Sequence, residues 1–252
     1  MSEVFIDEVD SASLTEPVLL EGLPGVANVG ALAAGHLVDE CDATLVRRVH
    51  SEHFPPQVTI EDRQASLTAS EIHAVDLDGT DALVLTGDHQ PQTPEGHYRI
   101  TEAYLDVAES FDVEQIIAMG GVPTGELIDE YDVLGATNTE SFADELESVG
   151  VTFRDDEPAG GIVGVSGLLL GLGARRDIPA ACLMGETSGY LVDPKSATRL
   201  LEILQELFDF EVGTESLDER AEEMEEVMQK IQEFEAQAQL DVGTDEDLRY
   251  IG

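Results

Sequence analysis

Short apolar segments alternate with amphipathic segments along the first 212 residues of this 252-residue chain. Residues 18–21, 81–86 and 115–119 are rich in Val, Leu and Ile and too short to be helices. Nearly continuous apolar strands of this kind are typical of a parallel sheet that helices cover on both faces. The alternation therefore predicts an α/β core domain over residues 1–212, a three-layer α/β/α arrangement around a mostly parallel mixed sheet.

Capping residues mark several predicted helix starts. Thr93 stands before Pro94, which is a favoured order of N-cap and first helical residue. Thr137 and Glu140 fit a capping box, which predicts a helix over residues 140–148. Ser166 follows an apolar segment and is expected to cap the helix after it.

The apolar pattern changes after residue 212. Apolar residues recur there at alternating four- and three-residue spacing, which predicts a C-terminal amphipathic helix over residues 213–242 with a narrow, coiled-coil-like seam. Such a seam suits packing on the chain's own domain and packing against another chain equally well. Residues 243–252 are acidic and predict a flexible tail. The candidate protein-binding residues of helix and tail are Leu217, Met224, Met228, Ile231, Leu248, Tyr250 and Ile251.

The charge of the chain constrains its setting and its partners. It has 54 Asp and Glu against 12 Lys and Arg, a formal net charge of −42. Such a charge destabilises a compact chain by self-repulsion, and molar salt, with a Debye length of about 3 Å, largely removes that repulsion. We expect a halophilic cytoplasmic protein that binds neither nucleic acid, which requires Lys and Arg, nor membranes, since no long apolar run is present.

Glycine-rich segments follow several predicted strands. Ligand sites of open α/β sheets lie at the carboxyl ends of strands, and helix N-termini there bind anions. The candidate ligand-binding residues are therefore Gly22, Gly25, Asn28, Gly30, Asp88, His89, Gly120, Gly121 and Glu186. The 22–30 loop matches neither phosphate-binding glycine template, so a tight turn that requires glycine is the structural alternative.

No catalytic residue, metal site or cofactor is predicted with a defined role. Asp88 and His89 suit an acid/base pair, but they equally suit a polar turn. His50 and His53 form an H-x-x-H pair, but the sequence identifies no further ligands to complete a zinc site. The two lysines leave few cations for phosphate chemistry.

Taken in order, these motifs resemble the proteasome assembly chaperone two family of archaea and actinobacteria. The resemblance covers about residues 15–210. It is carried by GLPG with NVG over 22–30, FPP at 54–56, GDHQP at 87–91, GG at 120–121, GET at 185–187 and DPKSA at 193–197.

The resemblance implies a three-layer fold akin to nucleoside phosphorylases, self-association without catalysis, and binding to proteasome alpha subunits. In such proteins a C-terminal tail with a hydrophobic residue, Tyr and one final residue docks between alpha subunits. Here Tyr250 is third from the end, and Arg249 occupies the hydrophobic position. We therefore hypothesise a homo-oligomeric chaperone of proteasome assembly. The alternative is a small-ligand or nucleotide-binding enzyme that uses the strand-end loops.

Overall fold

The computed structural model describes residues 4–61, 63–126, 128, 130–154 and 161–227. Ten strands are formed: β1 Val4–Glu8, β2 Val18–Glu21, β3 Asp42–Ser51, β4 Val58–Glu61, β5 Gln64–Leu67, β6 Ala69–Leu77, β7 Thr80–Gly87, β8 Gln115–Pro123, β9 Val133–Thr137 and β10 Ala180–Thr187. The helices are α1 Val29–Glu40, α2 Pro94–Ser110, α3 Glu140–Ser148, α4 Gly164–Arg175, α5 Pro194–Phe208 and α6 over residues 215–227.

Eight strands form one mixed sheet in the order β1-β3-β6-β7-β2-β8-β10-β9. The four neighbours β7, β2, β8 and β10 run parallel, so their carboxyl ends lie at one edge. Antiparallel strands extend this parallel centre on both sides. Strands β4 and β5 form a separate two-stranded hairpin.

Helices cover both faces of the parallel centre, which confirms the predicted three-layer α/β/α fold. Helices α2 and α4 pack over one face, where Leu19 and Ile116 are buried. Helices α1 and α5 pack over the other face, where Leu20 and Ile117 are buried. Neighbouring residues of a central strand thus enter different cores, which explains why these strands are continuously apolar.

Helix α1 lies unusually close to the strand beneath it. A Cβ added at Gly30 would lie 2.0 Å from the carbonyl oxygen of Met119 in β8. At Gly22 an added Cβ would lie 2.2 Å from the carbonyl oxygen of Gly30. These two glycines are therefore required by backbone packing between the loop, the helix and the sheet.

Local patterns predicted some helix starts correctly and others wrongly. Thr93 caps α2, because its Oγ1 accepts a hydrogen bond from the Gly96 N–H at 3.0 Å. The helix predicted over residues 140–148 forms with those bounds as α3, but its N-cap is Thr139, and the Thr137 hydroxyl donates to the Ala180 carbonyl at 3.0 Å. Ser166 does not cap α4 either, since Val163 holds that position.

The sequence patterns do not predict β1 or β9. Strand β1 is an edge strand that is mostly exposed, so it lacks the apolar content of a buried strand. Strand β9 is only five residues long and pairs antiparallel with β10.

Helix α6 continues the domain rather than leaving it at once. Leu217 and Ala221 are buried, and Leu217 belongs to the core that α1 and α5 cover. The buried His36 of α1 donates from Nε2 to the Gly213 carbonyl at 2.6 Å, just before α6 begins. The rest of the helix predicted over 213–242 lies outside the described residues.

Across the described ranges, no helix combines the length and apolar character needed to cross a bilayer.

The close packing of α1 predicts opposite effects for two glycine substitutions in one helix. Gly30→Ala should lower the free energy of unfolding by about 1–3 kcal/mol or more, because its Cβ collides with a backbone oxygen. Gly35→Ala should raise it by about 1 kcal/mol, because an added Cβ meets no atom within 4 Å and alanine favours helix. Denaturant unfolding in molar KCl measures both, and equal effects would contradict this packing.

Candidate functional site

The carboxyl edge of the parallel strands is held together by a glutamine. Gln90, in the loop after β7, donates from Nε2 to the Pro24 carbonyl at 2.8 Å. Its Oε1 accepts from the Val165 N–H in the first turn of α4 at 3.4 Å. A Cβ added at Gly164 would lie 2.7 Å from the same Oε1. The GDHQP segment thus uses Gln90 to join the 22–30 loop to α4.

A buried carboxyl lies at the end of the central strand β2. Glu21 has no exposed surface. Its Oε1 accepts from the Leu23 N–H at 3.0 Å, and its Oε2 accepts from the Ser166 hydroxyl at 2.9 Å. Ser166, predicted as a cap, therefore connects α4 to the end of β2.

Burial changes the protonation of this carboxyl. Loss of water around Glu21 raises its pKa to about 7, although the hydrogen bonds from Leu23 and Ser166 favour the ionised form. Desolvation exceeds the two bonds because a carboxylate with few partners is costly inside a protein. Glu21 is therefore protonated below neutrality and ionised only above it.

The groups near Glu21 are buried and unreactive. Tyr104 shares a 2.6 Å hydrogen bond with Ser70. Burial raises the pKa of the Tyr104 hydroxyl and of the Cys182 thiol, and the charge of Glu21 adds to both effects. A thiol held protonated in this way is a poor nucleophile. The Tyr104–Ser70 hydrogen bond joins α2 to β6, as the Ser166–Glu21 hydrogen bond joins α4 to β2.

Three predicted ligand-binding residues line one open cleft. Gly22, Asn28 and Asp88 border a space of about 800 Å³ between α1, strands β3 and β6, and the β4–β5 hairpin. Other charged groups in this cleft pair with each other. Arg48 Nε lies 2.8 Å from Glu71 Oε1, and His50 Nε2 lies 3.3 Å from Asp7 Oδ2.

The other polar candidates lie elsewhere. The His89 ring contacts the Gln57 side-chain amide. Glu186 accepts from Arg154 Nη1 at 3.0 Å. Asp88 follows β7, and Glu186 is the last but one residue of β10, three strand spacings or roughly 14 Å away across the sheet. The structure therefore does not assemble Asp88 and Glu186 into one reactive centre.

The remaining glycine candidates have individual roles. A Cβ at Gly121 would lie 2.7 Å from the Val26 carbonyl, so this glycine, like Gly30, permits close packing. An added Cβ at Gly120 would meet nothing within 4 Å, and at Gly25 only the Leu23 carbonyl at 4.0 Å. The loop also holds Ala27 and Asn28 at positive φ, 50° and 53°. Packing and turn geometry account for most of this segment.

The predicted protein-binding residues divide into two groups. Leu217 is buried in its own domain and Met224 is half-buried in α6. Met228, Ile231, Leu248, Tyr250 and Ile251 lie outside the described residues.

The described residues hold no group of three or more His, Cys, Asp or Glu side chains that suits a metal ion. His50 faces Asp7, while His53 Nδ1 lies 3.2 Å from the Thr93 hydroxyl. The two histidines of H-x-x-H thus have different neighbours.

Sequence reasoning missed Glu21 and Gln90, the two side chains that organise this edge. A signal for Glu21 was present, since an acid directly ends an apolar strand and precedes glycine. Glu21 is the last residue of β2, and it is buried together with the apolar residues of that strand. Gln90 stood inside a recognised motif but between two more conspicuous residues, His89 and Pro91.

Comparisons with known proteins agree over nearly the whole chain. The PAC2 family model matches residues 19–232. An uncharacterized protein of Methanocaldococcus jannaschii is 37% identical over 248 residues, which covers 96% of this chain and 95% of that protein.

Two crystal structures from Pyrococcus furiosus are also similar. PbaB, described as an archaeal proteasome activator, has a TM-score of 0.86 at 35% identity, covering 92% of this chain and 100% of that one. PbaA, described as an archaeal homolog of proteasome-assembly chaperone, has a TM-score of 0.77 at 26% identity, covering 98% and 99%.

The raised pKa of Glu21 predicts a specific pH dependence. An unfolded Glu ionises near 4.5, whereas folded Glu21 ionises near 7. Between these values only the unfolded state loses the proton, so stability falls as pH rises and levels off above 7. The full loss is about 3 kcal/mol. Glu21→Gln should remove this pH-dependent loss. The free energy of unfolding of the variant, relative to that of wild type, should therefore rise by about 3 kcal/mol between about pH 4.5 and about pH 8.

Glu145→Gln is the matched control, because Glu145 is exposed on α3. This exposed substitution should change the free energy of unfolding by no more than about 0.5 kcal/mol. Chemical unfolding in molar KCl measures all three proteins. A Glu21→Gln difference that does not change with pH would show that this carboxyl is not held neutral by burial.

Proposed function

This chain belongs to the PAC2 family, and on that premise we propose that it is a cytoplasmic, homo-oligomeric, non-catalytic protein that binds proteasome alpha subunits and assists proteasome assembly. The likeness to PbaB carries the proposal, because it extends over the whole of that chain at substantial identity. The likeness to PbaA supports the same class of partner.

The strand-end geometry is consistent with binding rather than chemistry. Glu186 is paired with Arg154, and Glu21 is sealed from solvent. A general acid or base must reach a substrate proton within hydrogen-bond distance. Side chains committed to structure in this way favour a scaffold that presents surfaces.

The charge of the chain sets the conditions for its partners. We propose a halophilic, archaeal setting, in which partner proteins are surrounded by the same molar salt. At low ionic strength repulsion between acidic surfaces extends over tens of ångströms, roughly 30 Å at 0.01 M. Binding is therefore to be measured in molar KCl.

Docking of the C-terminal tail, predicted from the sequence, remains a proposal, because residues 244–252 lie outside the described part of the chain. In this proposal the apolar side chains near the C-terminus enter pockets of the alpha-subunit ring. In this proposal either Leu248 or Ile251 takes the place of the hydrophobic residue, since Arg249 occupies its position.

Pull-down of alpha subunits from the same organism tests this function. Wild-type protein should retain them in molar KCl, and deletion of Thr244–Gly252 should abolish most of the retention. Replacing Leu248, Tyr250 and Ile251 together by Ser should have the same effect at unchanged charge. Asp245→Asn with Glu246→Gln is the control, which should bind like wild type. Absence of retention by wild type would refute the function, and retention without the tail would refute only tail docking.

A small-ligand-binding role is the second candidate, and the cleft next to α1 favours it. Its volume of about 800 Å³ is within the usual range for ligand pockets, roughly 300–1,000 Å³. A thermal-shift screen with nucleotides, nucleosides and divalent ions tests it. A ligand of this cleft should raise Tm, and Asp88→Asn should reduce the shift while His89→Ala, outside the cleft lining, leaves it unchanged. A screen without any shift would argue against this role.

A further inference from the structure

The β4–β5 hairpin has one apolar and one polar face. Its register pairs Val58 with Leu67 and Ile60 with Ala65, which places these four side chains on one face. Thr59 and Ser66, paired with each other, lie on the opposite face and line the cleft, which Leu67 also borders at the edge of the hairpin. The hairpin is therefore amphipathic. Strand pairs with one apolar face usually pack that face against another surface.

Nothing in the described part of the chain covers the apolar face. Ile60 is 68% exposed, Leu67 66% and Val58 50%. The hairpin belongs to no larger sheet, and no third described strand pairs with it. An isolated two-stranded hairpin is marginal in water, and contiguous exposed apolar surface usually marks an interface.

The apolar surface continues beyond the hairpin. Phe5 of the edge strand β1 is 47% exposed and borders a groove of about 510 Å³ with Val58 and Leu67. Phe54, Pro55 and Pro56 also line this groove, and Glu52 is the one acid among its lining residues. The hairpin face and the groove form one continuous surface, here called the hairpin surface.

Charge identifies what covers this surface. Of 252 residues 54 are Asp or Glu, yet residues 53–60 and 64–70 contain no Asp, Glu, Lys or Arg, and the charged residues of the hairpin are confined to positions 61–63, where its two strands join. Molar salt screens repulsion beyond about 3 Å, but acids brought into direct contact across an interface between two acidic proteins still repel each other. A basic partner would be drawn to the acidic surfaces instead. A neutral apolar patch on a strongly acidic chain therefore suits another equally acidic chain.

We propose that the hairpin surface is where one copy of this chain binds a second copy. A second copy is as acidic as the first and carries the same uncharged surface. It is also present wherever the protein is folded. An isolated hairpin is only marginally stable, so a permanent contact on its apolar face would stabilise it. Permanent homo-oligomer interfaces are also more apolar than transient interfaces. The inference deepens the proposed function, because it gives the self-association in that proposal a location.

Two matched substitutions in the hairpin test the assignment. Ile60→Glu places a charge on the apolar face, and Thr59→Glu places the same charge one residue away on the polar face. Analytical ultracentrifugation in molar KCl should show wild type and Thr59→Glu as the same assembly. Ile60→Glu should weaken that assembly by roughly 30-fold or more, as expected at the centre of an interface, and yield the 27.1 kDa monomer on dilution.

A second variant separates loss of the interface from loss of the fold. Leu67→Ser shortens the apolar face without adding charge and should weaken the assembly less than Ile60→Glu. Circular dichroism should show the same helix and strand content in all four proteins. A wild type that is monomeric, or an Ile60→Glu assembly as strong as wild type, would overturn the proposal.

The outcomes for assembly and for proteasome binding are independent. Loss of self-association in Ile60→Glu with retained pull-down of alpha subunits would locate the homotypic interface and leave the proposed function standing. If Ile60→Glu weakens self-association but wild type retains no alpha subunits, the result would support this interface and refute the proposed partner.

Discussion

The contact between the backbone of α1 and the central strand β8 determines how the functional edge of this protein is built. The helix lies against the Met119 carbonyl, so Gly30 has no room for a side chain. Gly22 in the preceding loop and Gly121 in β8 have none either, because added Cβ atoms would meet the Gly30 and Val26 carbonyl oxygens. The chain turns through left-handed conformations at Ala27 and Asn28, and the Ala27 carbonyl accepts from the Asp193 N–H at 3.0 Å. The 22–30 loop, whose position before a helix suggested anion binding, thus makes contacts that join α1, β8 and α5. Strand ends that serve as ligand sites in many α/β proteins serve here to fasten layers together.

Acidic residues affect this molecule in two physically different ways. The many surface carboxylates are hydrated, and salt screens their repulsion. Glu21 is inside, where salt does not reach, so its cost depends on pH rather than on ionic strength. Because the surface is charged nearly everywhere, the few neutral apolar areas acquire importance for association. The hairpin surface is one such area, and its neutrality follows from two uncharged segments of sequence.

The sequence predicted what depends on neighbouring residues and missed what depends on distant ones. Continuous apolar strands and the Thr93 cap are local patterns, and the structure confirms the fold class and that cap. Ser166 meets Glu21, 145 residues away, and Gln90 meets Pro24, 66 residues away, so no spacing rule connects them. The nine site residues were selected as strand-end residues. Three of these residues line the cleft. The distance between Asp88 and Glu186 follows from the strand order of the sheet, which the sequence does not give. The uncharged residues 53–60 and 64–70 can be read from the sequence, but the exposure of the apolar face that they form is seen only in the structure.

The central claim is that this chain acts by presenting surfaces to proteasome subunits. Sedimentation velocity of a mixture of the protein and the alpha subunits of its own organism, in molar KCl, tests the claim most directly. The account predicts a boundary that contains both proteins and sediments faster than either component alone. Two boundaries that keep the positions of the separate proteins, at concentrations where the wild-type chain is folded, would contradict it.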